Sequence, residues 1–525
     1  MEIKGLFTTL LTALAVGTID AQSVSNIPKL VVGVTVDQLR RDYMELFSPL
    51  YGEKGFRRIL KEGRYYTNAD YDFENPDRAS SIASLYSGTV PTIHGIIAEN
   101  WLDPATLIMK NCVNDPSYMG NYTSESSSAE LLQTSTLGDE LKIATNGKGL
   151  VYSVSPYREA AVFAAGHAGD GGFWLNETNG MWCGSTYYST FPVFVSAYNM
   201  QDGIDLRRNS LEWSPMRPVS DYKYLPFAYP QEKFNYKFVN YQESKYQKLK
   251  TSPLINTEIN RLLQTFFKSS ELGRDETPDL LSVTYYAGTF NHESAREAGL
   301  ELQDAYARLD QTLADLLEMI DKHVGLQNTL FFITSTGTVD PDPQDLQKFR
   351  VPTGEFHMER CMALLNMYLM AVYGQGQWVE AYDGLQLYLN DKLIEEKKMS
   401  LQEVLDKSCE FLIQMSGVKE VYSSARLLQS AWIPEVRKIR NTYHRTRSGD
   451  IFVEVMPGWT VVNAKNPGND YVVRKAYTPQ PLIFIGGEVK PEKIETSVTM
   501  DCVAPTVSKA IRIRAPNGCT SMPLF

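Results

Sequence analysis

Long apolar runs alternate with amphipathic stretches along most of the chain. The runs predict buried strands at 30–37, 150–155, 280–287, 329–334 and 481–486. Apolar residues recur at helical spacing in the segments "GFRRILKEG" (55–63), "SSIASLYSG" (80–88) and "TLGDELKIATNGKG" (136–149). Because strands that alternate with helices are typical of a parallel sheet covered on both faces, we predict an α/β three-layer sandwich with a mostly parallel central sheet.

Two stretches interrupt this alternation. Residues 185–278 are rich in Tyr, Pro, Asn and Lys, and residues 345–445 hold short helices and strands. We interpret both as inserted cap segments within one domain at 22–525. The aromatic residues of 222–247 lie among Lys, Asn and Gln, a mixture that either packs on the parent domain or stacks on sugar rings.

The N-terminus resembles a bacterial export signal. Lys4 precedes an apolar run at 6–16, and Ala21 is a small residue suited to a cleavage site. The run is too short to cross a bilayer of roughly 30 Å, and no second run of spanning length follows. The sequence therefore predicts a signal peptide at 1–21 and a periplasmic or secreted protein without an integral membrane segment after cleavage.

Charge and cysteine content narrow the function classes further. The net charge of −11 argues against nucleic acid as a partner, because phosphate backbones bind clustered Lys and Arg. None of the six cysteines forms a C-x-x-C pair, which disfavours a zinc knuckle. Cys502 and Cys519 are the nearest pair in sequence for a disulfide, with free thiols as the alternative.

An ordered set of motifs spans nearly the whole mature chain. Its members include "VDQLRRDY" (36–43), "LYSGTVPTIHGI" (85–96), "GFWLNETNG" (172–180), "RSGDIFVEVMPGW" (447–459), "PLIFIGG" (481–487) and "DCVAPTVSKAI" (501–511). In this order they resemble the alkaline phosphatase and nucleotide pyrophosphatase superfamily, above all its monomeric threonine-nucleophile alkaline phosphatases. The resemblance implies a two-zinc site held by Asp and His, with a hydroxyl nucleophile at a helix N-terminus.

The resemblance also implies which residues should hold the metals. Asp37, at the end of the first strand, and His292, in "YYAGTFNHESAREAG", match two of the six ligands. The other four ligand positions fall on Gly288, Thr336, Gly337 and Pro479. Two ligands are fewer than the three that a catalytic zinc normally needs, so no cofactor is expected. The alternative is a rebuilt zinc or magnesium site that recruits the nearby carboxylates of Glu293, Asp340 and Asp342.

The residues at the nucleophile position and at the phosphate-contact positions also differ from those of the family. The nucleophile position falls on Arg78, and a shift of register would instead bring Ser80 or Ser81 there. Asn100 matches a residue that contacts phosphate in the family. The family's Lys-x-Arg pair falls on Tyr157 and Glu159, with Arg158 between them.

Two functional hypotheses follow from these replacements. The first is an exported pseudophosphatase that serves as a binding or scaffold component for an unknown protein or glycan. The second is an active metal-dependent phosphomonoesterase or phosphodiesterase that acts on a phosphate ester through a rebuilt site around Asp37, His292 and Ser80 or Ser81.

Overall fold

A computed structural model describes residues 27–188, 190–337, 350, 352–429, 434–463, 470–473 and 479–525. Its main feature is an 11-stranded sheet. Ten strands follow one another across it in the order Glu492–Ile494, Arg64–Asp70, Gln480–Ile485, Thr329–Ser335, Leu30–Asp37, Asp279–Tyr286, Val151–Ser155, Gly171–Leu175, Trp182–Ser185 and Gly120–Asn121. The remaining strand, Val498–Thr499, pairs with Arg64–Asp70.

The middle of the sheet is parallel, as predicted. Five neighbouring strands, from Thr329–Ser335 to Gly171–Leu175, run in the same direction. All five predicted strands are confirmed to within a residue or two. The strand Gln480–Ile485, however, runs antiparallel to both of its neighbours. The mostly parallel α/β class is therefore confirmed, with antiparallel strands towards the margins.

Helices cover both faces of this sheet. The α-helices are Arg41–Leu46, Phe56–Glu62, Arg78–Ser87, Pro91–His94, Leu137–Ala144, Arg158–Ala165, Val193–Gln201, Lys245–Lys250, Leu254–Ser269, Gly299–His323, Met358–Tyr373, Asp391–Glu396, Leu401–Leu412, Ser424–Gln429, Pro434–Thr442 and Val503–Ala510. Because both faces are covered, every residue of the first strand, Leu30–Asp37, is buried. Its alternate side chains enter two separate apolar clusters: Val32 and Val34 belong to one and Val31 to the other.

A glycine in the first strand lets one helix lie very close to the sheet. A Cβ atom at Gly33 would come within 2.5 Å of both Tyr86 Oη and a ring carbon of Phe332. Tyr86 belongs to the helix Arg78–Ser87, which ends at Gly88 in the left-handed conformation with φ 67°. The absent side chain at position 33 therefore fixes the distance between this helix and the first strand.

The two predicted insertions contain their own short elements. Within 185–278 the structure has a two-stranded sheet, Glu212–Trp213 with Tyr236–Lys237, besides its helices. From residue 352 onward a separate apolar cluster packs against two small sheets. Their strands are Val379–Asp383, Gln386–Leu389, Ile451–Val455 and Val418–Ser423 in one, and Glu355–His357, Thr460–Val462 and Tyr471–Val472 in the other. This unit extends beyond residue 445.

No helix within the described residues is both long enough and apolar enough to cross a bilayer.

Candidate functional site

Three neighbouring strands and the helix Arg78–Ser87 bring the predicted site residues to one edge of the sheet. The carboxyl ends of parallel strands share a side, so Asp37 lies beside Tyr286 of the next strand. On its other side, Thr336 follows directly after the strand Thr329–Ser335. The predicted gathering of Asp37 and Thr336 is confirmed by a hydrogen bond of 2.6 Å between Thr336 Oγ1 and Asp37 Oδ1.

Asp37 is almost fully buried, and both of its carboxylate oxygens are engaged. Oδ1 accepts the hydrogen bond from Thr336. Oδ2 accepts a hydrogen bond of 3.0 Å from Arg78 Nη1. Each oxygen of the carboxylate that matches a family metal ligand is therefore bound by another side chain of the protein.

Arg78 is the first residue of the helix Arg78–Ser87, where the nucleophile is expected. Besides Asp37, its guanidinium donates from Nε to Glu159 Oε1 at 2.5 Å. The guanidinium carbon also lies 3.4 Å from the centre of the Tyr157 ring, a stacked cation–π contact. Burial alone would lower the pKa of Arg78, but the charges of Glu159 and Asp37 raise it well above its ordinary value.

Tyr157 and Glu159 occupy the two positions of the family's Lys-x-Arg pair. They flank Arg158 at the start of the helix Arg158–Ala165, which follows the strand Val151–Ser155. Burial of Glu159 would raise its pKa, but the charge and hydrogen bond of Arg78, a backbone hydrogen bond and the charge of Lys250 together lower the pKa below its ordinary value. The two positions whose side chains bind phosphate in the family thus carry side chains that bind Arg78 in this protein.

A further carboxylate stands at the rim of this group. Glu99 is half-exposed, and its Oε2 lies 3.8 Å from Arg78 Nη2. The negative charge of Glu159 together with burial raises the pKa of Glu99 to about 7, although Arg78 acts in the opposite direction. Glu99 is therefore the group of this site that changes its charge near neutral pH.

The serine candidates lie in the first turn of the same helix. Ser80 forms a capping box with Asp77: its hydroxyl donates to Asp77 Oδ1 at 2.6 Å, and Asp77 N donates to Ser80 Oγ at 3.1 Å. Both Ser80 and Ser81 have no exposed surface. The register places Arg78, and neither serine, at the start of the helix next to Asp37.

Asn100 and Arg158 are linked through a third side chain. Asn111 donates to Asn100 Oδ1 at 3.0 Å and accepts from Arg158 Nη2 at 2.9 Å. Arg158 also lies 3.8 Å from Glu125. The structure therefore brings the two predicted phosphate contacts together, with Arg158 directed towards Asn111 and Glu125.

The remaining ligand positions show why this edge does not suit a metal pair. A Cβ atom at Gly288 would lie 2.4 Å from Tyr286 Oη, so the tyrosine hydroxyl fills the space of a larger side chain there. Gly337 has φ 103°, a backbone conformation that favours glycine. Pro479 is half-buried and has no metal-binding group.

His292 lies in the loop after Tyr286, and the two rings meet edge-on with centroids 6.3 Å apart. The residue as a whole is exposed, but desolvation of its ring lowers the pKa of His292. The charge of Arg78 also lowers this pKa, whereas the charge of Asp37 raises it. A lowered pKa keeps the imidazole neutral near pH 7, the form that binds metals.

The donor set does not fit the zinc pair that the resemblance implies. In the described part of the chain, no three His, Cys, Asp or Glu side chains are grouped so that they could hold a metal ion. Asp37 is the one matched carboxylate, and Arg78 places a positive charge on it. Asp340 and Asp342 lie outside the described residues.

Sequence reasoning missed the partners of Arg78. The family pattern identifies Tyr157 and Glu159 only as replaced phosphate contacts, and it gives no role to Glu99 or Tyr286. A signal was nevertheless present: a new cation at position 78 coincides with a new anion at position 159, where the family has a cation. Such a reversal of charge is what a direct ion pair would require.

The aromatic residues of the first insertion pack mainly against each other and the parent domain. The ring of Trp213 lies 5.0 Å from that of Phe234, and the ring of Tyr236 lies 4.4 Å from that of Phe290. Tyr236 Oη also donates to Glu301 Oε1 at 2.8 Å. These rings belong to the main apolar cluster or pack directly against it, which agrees with the packing interpretation of the insertion.

The parallel sheet, with its site at the carboxyl ends of the strands, defines an α/β protein of the kind that binds ligands at this edge. The chain belongs to the type I phosphodiesterase / nucleotide pyrophosphatase family, whose model matches residues 31–479. It is 29% identical to the alkaline phosphatase PafA of Elizabethkingia meningoseptica, over 97% of this chain and 96% of that protein. It is 28% identical to the alkaline phosphatase PhoV of Synechococcus elongatus, over 94% and 91%. The crystal structure of PafA superposes with a TM-score of 0.83 at 26% identity, covering 95% of this chain and 98% of that one.

Proposed function

We propose that this chain is an exported phosphatase-fold protein that does not hydrolyse phosphate esters by a two-metal mechanism and instead serves as a binding or scaffold component. The observation that carries the proposal is the position of Arg78 between the carboxylates of Asp37 and Glu159. A guanidinium has donors but no lone pair available for attack on phosphorus, so Arg78 cannot replace the hydroxyl nucleophile.

The same arrangement works against metal binding. A cation that approaches Asp37 would meet the positive charge of Arg78 at hydrogen-bond distance from the same carboxylate. It would also compete with Thr336, whose hydroxyl donates to the other oxygen. Moving the Arg78 guanidinium out of the site, away from Asp37, would also break its ion pair with Glu159, so two buried ion pairs would be lost at once.

Ser80 offers no ready substitute for the missing nucleophile. Its hydroxyl caps the helix through Asp77, and the carboxylate of Asp77 also accepts a hydrogen bond of 2.6 Å from Glu99 N. Attack by Ser80 would open this capping box and expose a side chain that has no accessible surface. The loss of a helix cap typically costs about 0.5–2 kcal/mol.

The second candidate function is a working phosphomonoesterase or phosphodiesterase with a rebuilt magnesium or zinc site around Asp37 and His292. The names of the relatives favour it, since PafA and PhoV are both alkaline phosphatases. In that case the substrate would be a phosphate ester, whereas the preferred proposal leaves an unknown protein or glycan as the partner.

Metal analysis and a hydrolysis assay distinguish the two functions. The purified protein is incubated with zinc or with magnesium, passed through a desalting column and measured by plasma mass spectrometry. The same samples are assayed with p-nitrophenyl phosphate and bis-p-nitrophenyl phosphate. We expect substoichiometric metal and no turnover above the buffer blank. About two zinc ions per chain together with saturable turnover would contradict the proposal.

A matched pair of variants identifies contaminating activity. Asp37→Asn changes the carboxylate at the site, whereas Asp42→Asn changes a carboxylate that is 53% exposed on the neighbouring helix. Turnover that is unchanged in both variants belongs to a contaminant. Turnover that Asp37→Asn abolishes and Asp42→Asn preserves would establish the second function.

A further inference from the structure

The C-terminal segment, defined as residues 511–525, folds back along the helix Val503–Ala510. Near its end, Leu524 N donates to Thr506 Oγ1 at 2.9 Å. The terminal Phe525 ring packs edge-on against Phe484 of the central sheet, with centroids 5.2 Å apart. The segment is thus held at several points by contacts with the main domain.

Two half-buried cysteines meet where this segment passes the start of the helix. Cys502 is the N-cap residue of the helix, and Cys519 lies in the C-terminal segment. Both sulfur atoms adjoin Ser521. Cys519 Sγ donates to the Ser521 carbonyl oxygen at 3.5 Å, while the Ser521 hydroxyl interacts with Cys502 and donates to Asp501.

Contacts around Gly88 independently place Cys519 beside the helix that Cys502 caps. A Cβ atom placed on Gly88 would lie 2.9 Å from Cys519 Sγ and 3.3 Å from Ala504 Cβ. Ala504 is in the first turn of the helix that Cys502 caps. Cys519 therefore sits against the first turn of the helix that Cys502 caps, and a disulfide would bring the two Cα atoms to a separation of roughly 4.4–6.8 Å.

We propose that Cys502 and Cys519 are a dithiol–disulfide pair that, when oxidised, fastens the C-terminal segment to the first turn of the helix Val503–Ala510. The oxidant is a small-molecule or protein disulfide. Both S–H bonds break and one S–S bond forms, and the two protons and two electrons reduce the disulfide of the oxidant to two thiols. This proposal is independent of whether the phosphatase-like site is active.

The surroundings of the pair set the conditions under which it reacts. Burial raises the pKa of Cys502 and of Cys519, and the charge of Asp501 acts in the same direction on both. The thiolate is the attacking form, so a raised pKa makes exchange slow at neutral pH. The rate of closure should increase as the pH rises towards the pKa values of these thiols.

The other cysteines provide internal controls. Cys112, Cys183 and Cys361 are buried, and all six cysteines are free thiols in the structure. Cys409 is half-buried like the proposed pair but lies on the helix Leu401–Leu412, in the unit with its own apolar cluster. Cys409→Ser is therefore the matched control: it removes a thiol of similar exposure that does not belong to the proposed pair.

The test uses the full chain with oxidised glutathione at pH 8. Thiols are counted in denaturant before and after oxidation, and tryptic peptides are mapped by mass spectrometry. Lys509, Arg512 and Arg514 lie between the two cysteines, so trypsin separates their peptides unless a disulfide joins them. We expect the loss of two of the six thiols and one linked peptide pair that is lighter by two hydrogens than its separate peptides.

The variants and a reductant complete the test. Cys409→Ser should still lose two thiols, whereas Cys502→Ser and Cys519→Ser should form only glutathione adducts. Dithiothreitol should restore the thiols and lower the melting temperature of the oxidised wild type. The proposal is overturned if Cys502 and Cys519 of the wild type stay reduced, or if they end as two separate glutathione adducts.

Discussion

Replacing Arg78 by methionine tests the central feature of the site. Arg78→Met keeps an unbranched stem against Tyr157 but removes the cation between two carboxylates whose side chains are only 2% and 6% exposed, those of Asp37 and Glu159. Removing one partner of a buried ion pair typically costs about 3–5 kcal/mol, because the other charge stays buried and unpaired. We expect a loss in that range in the free energy of unfolding at pH 7.

The loss should depend on pH in a definite direction. In the wild type, Arg78 holds the pKa of Glu159 below its ordinary value of 4.5, so the resulting stability is present above that pH and disappears as the pH falls through the lowered pKa. Without Arg78, burial is opposed only by a backbone hydrogen bond and the charge of Lys250, so we expect the pKa of Glu159 to rise. The variant then loses stability as the pH rises above about 4.5, and the difference between the two proteins widens from pH 4.5 to pH 7.

Urea denaturation followed by tryptophan fluorescence at pH 5 and pH 7 measures both effects. Arg58→Met is the control, because Arg58 pairs with Glu62 on a helix surface, where ion pairs contribute about 0–1 kcal/mol. Adding Glu159→Gln to Arg78→Met should recover part of the loss. The reasoning is refuted if Arg78→Met unfolds within about 1 kcal/mol of the wild type at pH 7, since that is the value of an exposed pair.

The remaining predictions concern the rim of the site and its reconstruction. Glu99 has a pKa raised to about 7, so its contribution to stability is lost as the pH rises from 4.5 through 7. Glu99→Gln should flatten this part of the stability profile, and an unchanged profile in urea titrations would contradict the assignment. Reconstruction of the six-ligand set combines Gly288→Asp, Thr336→Asp, Gly337→His and Pro479→His. Provided that the Tyr286 ring moves out of the space beside position 288, this variant should bind zinc more tightly than the wild type in equilibrium dialysis yet stay inactive, because Arg78 remains. Adding Arg78→Thr should then release measurable phosphate from p-nitrophenyl phosphate, and zinc binding without any turnover would refute the proposed register.

The strands that form the site could be predicted from the sequence, because each strand is marked by a local run of apolar residues. Apolar runs identified the central strands, and parallel topology then required Asp37 and Thr336 to meet. The direction of Gln480–Ile485 could not be read in the same way, since a buried strand has the same apolar pattern whether it is parallel or antiparallel to its neighbours.

The partners of Arg78 are harder to predict, and for a different reason, although the charge reversal at position 159 points to one of them. Glu159 is 81 positions away in the chain, and its helix begins after another strand. Comparison with a family pattern tells which residue is lost at each position, but it does not tell which new contacts the replacements make with one another. Tyr286 illustrates the same limit: an aromatic residue near the end of a buried strand gives no sign that its hydroxyl occupies the space beside Gly288.

The replacements at positions 78, 157 and 159 are best understood as a set. An arginine at 78 beside a retained Lys-x-Arg pair would place several cations together in a half-buried cleft, and each would raise the electrostatic cost of the others. Glu159 reverses one of those charges and pairs with the guanidinium, and Tyr157 provides an aromatic face for it. Asp37 then keeps a cationic partner in the form of Arg78. The fold does not need the metals to hold this edge together, because the protein's own guanidinium supplies the positive charge that its buried carboxylates require.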